Sequence, residues 1–107
     1  MQVPTKATLL RIYLGESDRS GALPLYEALV LKAREMHLAG ATVLRGPMGF
    51  GKASRVHTAK ILQLSADLPM LVEIVDEESK VRAFLEASGP MMGNGLVTLE
   101  TVEVLRY

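Results

Sequence analysis

Met70-Leu71-Val72-Glu73-Ile74-Val75 is a six-residue run that is apolar on both sides of an extended chain, with Val72 and Ile74 facing one way and Leu71 and Val75 the other. Side chains alternate along a strand, so this pattern predicts a strand with work to do on each face. Glu73 is the one charge in it, and a cross-strand partner such as Arg11 or Arg45 is a sufficient structural reason for its presence. Directly after the run, Asp76 offers an N-cap, Glu77 and Glu78 suit the positive end of a helix, and Val81, Phe84 and Leu85 supply a buried stripe ending near Gly89. A last strand begins at Leu96. Its apolar residues change phase, from Val97 and Leu99 to Val102 and Val104, and a bulge or bend near Glu100 and Thr101 is expected to reconcile them.

The same reading extends towards the N-terminus. Ala41-Thr42-Val43-Leu44-Arg45 predicts a strand, joined to the first run by a long connection. Before it, Pro24 suits a first helical turn, and Ala22, Leu25, Leu29, Ala33 and Met36 recur at helical spacing until Gly40. Ala7 to Leu14 reads as a strand with Leu10, Ile12 and Leu14 on one face and Arg11 and Tyr13 on the other. Residues 1–6 are expected to form a flexible arm. The order is βαββαβ, two split βαβ halves, which predicts an α+β ferredoxin-like sandwich: an antiparallel four-stranded sheet with two helices on one face. Both faces of the strands are apolar and no third helix is available, so self-association is expected to cover the second face.

Length and composition bound the function. The 107 residues fit one domain with one core, and 49% of them are apolar against 22% charged. Twelve Lys and Arg balance twelve Asp and Glu, which disfavours general binding to nucleic acid, where excess positive charge displaces counterions from phosphates. Without cysteine there is no disulfide, thiolate metal site or cysteine nucleophile. Met1 to Lys6 lacks the apolar core of a signal peptide, and no stretch reaches roughly 18 uncharged apolar residues, so a soluble cytoplasmic protein with no membrane insertion is expected.

Three segments could carry chemistry. Gly46-Pro47-Met48-Gly49-Phe50-Gly51-Lys52-Ala53 nearly fits the phosphate loop G-x-x-x-x-G-K-[ST], but Ala53 stands where the magnesium-binding hydroxyl belongs and Ser54 is one residue late. Residues 55–60 lack the buried stripe of the helix that motif opens, so an ordinary glycine-rich bend is the better reading. Lys52, Arg55, His57 and Lys60 make the long connection locally basic, suited to a phosphate or an acidic partner, or simply to solvent. The length of that connection favours function. Gly89-Pro90-Met91-Met92-Gly93-Asn94-Gly95 has the glycines of an anion-binding nest and equally those of a tight turn, with Met91 and Met92 as core filler. No Ser, His and Asp constellation or metal-ligand spacing is visible, so neither catalytic nor metal-binding residues are assigned and an enzyme is not expected.

These residues resemble a known family, the PII-like proteins catalogued as a domain of unknown function and related to the PII nitrogen-signalling proteins. The resemblance covers nearly the whole chain and rests on Gly40-Ala41-Thr42-Val43 with Arg45-Gly46, Gly49-Phe50-Gly51, His57-Thr58, Asp67-Leu68-Pro69 and Val72-Glu73-Ile74-Val75-Asp76. It implies a homotrimer whose sheets face inward, a T-loop-like connection over residues 51–67 that meets a target protein such as a membrane channel or transporter, and an adenine nucleotide effector in clefts between subunits, with no cofactor required. The residues it implies for the ligand are Gly49, Phe50, Gly51 and Lys52 at the base of the loop, Glu73 and Val75 on the third strand, and Gly93, Asn94 and Gly95 in the phosphate loop. Arg55, His57 and Lys60 would face the partner. This chain departs from the PII pattern in having Leu96 for the phosphate-binding lysine and Asn94 for an acidic residue. The C-terminal arginine-bearing loop is expected to be lacking, with Arg106 as its one replacement. A monophosphate, another adenine ligand or an unliganded protein thus all stay open. A CutA-like metal-binding or metal-tolerance trimer is the alternative.

Overall fold

The computed structural model describes residues 3–50, 57–58, 67–93 and 95–107. Four strands, β1 (Thr5–Gly15), β2 (Thr42–Arg45), β3 (Pro69–Asp76) and β4 (Leu96–Val104), form one sheet in the order β2-β3-β1-β4, with every neighbouring pair antiparallel. Helices α1 (Leu25–Glu35) and α2 (Glu78–Ser88) complete the expected ferredoxin-like sandwich. The core lies between the helices and one sheet face. Leu10, Ile12 and Leu14 of β1 and Met70, Val72 and Ile74 of β3 meet Leu25, Leu29 and Ala33 of α1 and Val81 and Phe84 of α2. Met92 is buried in this cluster and Met91 packs against it, as their reading as filler expected.

The alternation also builds the other face. Pairing registers align Leu44, Leu71, Tyr13 and Leu96 in one apolar row across all four strands. The next row is Thr42, Glu73, Arg11 and Thr98, and the one after it carries Val75, Leu9 and Glu100. No described element covers these rows, and Leu44 and Leu96 are half or more exposed.

Several local expectations are corrected. Thr5 and Lys6, placed in a flexible arm, pair with Val104 and Glu103, so the first strand starts two residues before Ala7. The β1–β4 register runs without interruption from Thr5 opposite Val104 to Tyr13 opposite Leu96, so no bulge occurs at Glu100 or Thr101. The apolar phase change is a change of face. Val97 and Leu99 stand opposite Ile12 and Leu10 on the helix side, whereas Val102 and Val104 stand opposite Ala7 and Thr5 on the open side. Two-residue ladders, Arg19–Ser20 with Leu23–Pro24 and Met48–Gly49 with His57–Thr58, are too short to leave a periodic signal.

Helix α1 ends at Glu35, before Gly40, because the chain turns at His37. The amide of Leu38 donates to Ala33 O (3.0 Å) and that of His37 to Arg34 O (3.1 Å), the paired bonds of a Schellman ending, with His37 in the left-handed region at φ 60°. Glycine usually fills this position, because a side chain there costs roughly 1–2 kcal/mol. His37→Gly is therefore expected to raise stability by about 0.5–1 kcal/mol after the extra freedom glycine gives the unfolded chain. A urea unfolding midpoint checks this, and a lowered midpoint would show that the imidazole has a compensating contact.

Asp76 does not cap α2. The N-cap is Glu77, with no side-chain cap, and the Asp76 carboxylate is buried at the end of β3. Its Oδ1 accepts from the Glu77 amide (2.7 Å) and its Oδ2 from the amide of Ala39 (2.8 Å).

Both stems of the long connection are held by the turn after β1. Gly46 N–H donates to Pro69 O (2.8 Å), Glu16 N–H to Leu68 O (2.8 Å) and Ser17 N–H to Asp67 Oδ1 (2.9 Å), while Arg45 and Glu16 form an ion pair. Gly46 and Gly49 lie flat on the Pro69 ring: a Cβ at either would come within 2.9 and 3.0 Å of Pro69 Cγ. That close approach is a structural reason for two of the glycines in the near-Walker segment.

Candidate functional site: a cleft on the open sheet face

Glu73 stands at the middle of β3 on the uncovered face, directly opposite Arg11. Arg11 Nε donates to Glu73 Oε2 at 3.0 Å, and a second carboxylate, Glu100, lies 3.9 Å from the guanidinium. Of the two partners expected for Glu73, Arg11 is the one found, since Arg45 points to the other face and meets Glu16. The hydrogen bond to Glu73 raises the Arg11 pKa, partial desolvation opposing it and Glu100 adding to it. A raised pKa on a cation favours the charged form in the fold, so its stabilising share is lost only in strongly alkaline solution.

Beside this pair a cleft of about 350 Å³ opens on the same face. Ala39, Gly40, Ala41 and Thr42 form one wall, Glu73 and Val75 contribute from β3, and Val104, Arg106 and Tyr107 line it from the segment at the end of β4. That segment reaches back to the β2 side of the sheet, where Tyr107 Oη donates to Ala39 O at 3.1 Å. The cleft thus combines a wall of small residues, an ion-paired carboxylate, an apolar Val75 and one exposed guanidinium. Such a lining offers a flat apolar surface, a hydrogen-bond acceptor and one cation to a small anionic ligand.

The structure brings some of the sequence-predicted residues together and not others. Glu73 and Val75 share the cleft with Arg106. Gly49 and the exposed Phe50 follow β2 at the far end of the sheet, and Gly93, at φ 57°, and Gly95, close to the carbonyl of Tyr13, precede β4 at that same end. These two glycine-rich segments flank opposite sheet edges, three strand spacings or roughly 14 Å apart. Gly51, Lys52, Arg55, Lys60 and Asn94 lie outside the described residues, and of His57 the backbone ladder to Gly49 is described. Ala39 and Tyr107 carry no signal in the sequence, because a contact 68 residues apart leaves no local pattern, and Thr42 reads there as a strand residue and not as part of a site. Among the described residues no group of three or more His, Cys, Asp or Glu is placed to hold a metal ion, and no helix is long and apolar enough to cross a membrane.

A two-helix, four-stranded antiparallel sandwich of this topology, with one sheet face left uncovered by the described elements and a long β2–β3 connection, has the fold of a PII-like domain. It is similar to the nitrogen regulatory PII-like protein of Thiomonas intermedia K12, whose structure holds ADP, AMP and bicarbonate, with a TM-score of 0.71 and 17% identity over 95% of this chain and 91% of that one. Identity at that level speaks for the fold. Residues 7–104 match DUF190, described as Uncharacterized ACR, COG1993, and the chain belongs to that family. It is 44% identical to a UPF0166 protein of Aquifex aeolicus over 94% of both chains, and 30% identical to one of Methanocaldococcus jannaschii over 94% of both.

Proposed function

We propose that this protein is a cytoplasmic PII-like regulator, not an enzyme, that assembles as a homotrimer, binds an adenine nucleotide at the cleft and controls a partner protein through residues 51–67. The observation that carries this reading is the meeting of Glu73 and Val75 with Arg106 in one cleft on the uncovered sheet face. A single guanidinium suits one phosphate better than three, so AMP is favoured over ATP. The ADP and AMP held by the Thiomonas protein support the ligand class. The wide separation of the two glycine-rich segments within one chain supports a site completed by a second copy, which can bring another sheet edge to the cleft. The apolar row Leu44, Leu71, Tyr13 and Leu96 is the surface such a copy would cover. Switching requires that the ligand bind one state of the 51–67 connection more tightly than another, and a target such as a membrane channel or transporter would read that state.

Thermal unfolding against a panel of adenine nucleotides, cyclic nucleotides and divalent metals tests the reading. A ligand at about 100 times its Kd adds about 2.7 kcal/mol to the native state, which for a domain of this size raises Tm by roughly 10 °C. AMP or ADP is expected to give that shift. A shift with copper or zinc and none with nucleotides would move the assignment to a metal-binding trimer.

A further inference from the structure

We propose that Asp76, helped by Tyr107, is the positioning residue of the cleft: the two tie Ala39 from inside and outside and so set the gap between the cleft's walls. The inference rests on the cleft being the ligand site. Asp76 is 3% exposed, and both of its carboxylate oxygens are committed to backbone amides. One of those amides belongs to Ala39, the first residue of the wall that faces Val75, and the other to Glu77 at the start of α2. Asp76 follows Val75 directly, so a single carboxylate joins the strand that supplies one wall to the segment that forms the other. On the solvent side, Tyr107 Oη holds the carbonyl of the same residue at 3.1 Å. Lys80 Nζ donates to His37 O (3.1 Å) and steadies the approach to the wall from α2.

A buried carboxylate needs such bonds, and stability alone would account for them. Their placement argues for more. The Ala39 to Thr42 wall is built of small residues, and such a wall fits a flat ligand only when it is held at a fixed distance from the one opposite. Within β2 the pairing to β3 begins at Thr42, so Ala39, Gly40 and Ala41 have no sheet register to hold them. Asp76 and Tyr107 supply what the sheet does not.

The test compares Asp76→Asn, Tyr107→Phe and Phe84→Leu in the full chain, the last being a core change on the helix side that lowers Tm without touching the cleft. AMP binding by calorimetry and amide exchange at residues 39–42 are read for each. Asp76→Asn is expected to weaken AMP binding at least tenfold and to speed exchange of those amides about tenfold, with Tyr107→Phe giving about threefold in each. Phe84→Leu, at a similar or greater loss of Tm, is expected to leave both unchanged. If Asp76→Asn does not fold, Asp76→Glu, which keeps the charge but displaces the carboxylate by one methylene, is read in its place beside the exposed Tyr107→Phe, with the same outcomes deciding. Unchanged exchange at 39–42, or the same loss in Phe84→Leu, overturns the proposal. If the wild type binds no AMP the ligand reading fails separately, and selective exchange at 39–42 still decides whether Asp76 positions the wall.

Discussion

Leu71→Glu is expected to convert the protein from a species of three times 11.6 kDa to one of 11.6 kDa in sedimentation equilibrium, with its far-UV circular dichroism unchanged. Leu71 lies at the centre of the apolar row, between Leu44 and Tyr13, and no described part of its own chain covers that row. In an isolated subunit the new carboxylate reaches water and costs the fold little. In a trimer with inward-facing sheets it would be desolvated in every copy at once, and each unpaired buried charge costs several kcal/mol. Each of the trimer's three interfaces then carries one such penalty, and at a factor of ten for each 1.4 kcal/mol this weakens association by orders of magnitude. A wild type that sediments as a monomer, or a variant that stays trimeric, would refute the inward-facing assembly.

Arg106→Ala should weaken binding of AMP by about 10- to 100-fold, while Tm without ligand moves by less than a degree or two. A charge-assisted hydrogen bond contributes about 1.5–3 kcal/mol, and each 1.4 kcal/mol is a factor of ten. Arg106 is exposed, and among the described residues no ion pair or hydrogen bond engages its guanidinium, so its loss should be felt by the ligand and not by the fold. Adenosine, which has no phosphate, is the control: it should bind the two proteins alike. Equal loss for adenosine would mean that Arg106 shapes the cleft and does not meet the anion.

What could be read beforehand follows from the range of the forces involved. β1 and β3 are legible because each is a short apolar run with β-branched residues, bounded by turn signals and too short for a helix. The end of α1 was misplaced because His37 does what glycine usually does, and a search for glycine finds Gly40 instead. The supposed bulge in β4 came from assuming that a strand keeps one apolar face. At the edge of the sheet it need not, and here the apolar residues move from the helix side to the open side along an unbroken register. For the site, Glu73 and Val75 follow from resemblance to a family, and Arg106 is the one cation near the C-terminal end of the sequence that could replace the family's arginine. Ala39 and Tyr107 follow from neither, since their proximity depends on the segment after β4 crossing back to the β2 side. The position of Asp76 before a helix suggests a cap, and only the fold reveals that its second oxygen reaches Ala39.

The clasp at the stems of the β2–β3 connection has a further consequence for how this fold can diversify. The excursion leaves and returns at one hydrogen-bonded pair, Gly46 and Pro69, braced by Glu16 and Ser17. Closing the loop is thus settled by its anchors and depends weakly on what lies between them: doubling its length costs only about 0.6 kcal/mol. Shortening or lengthening the chain between these anchors is therefore expected to leave the Gly46–Pro69 pair and the sheet nearly as stable as before, so that selection can act on what the connection binds with little thermodynamic consequence for the domain that carries it.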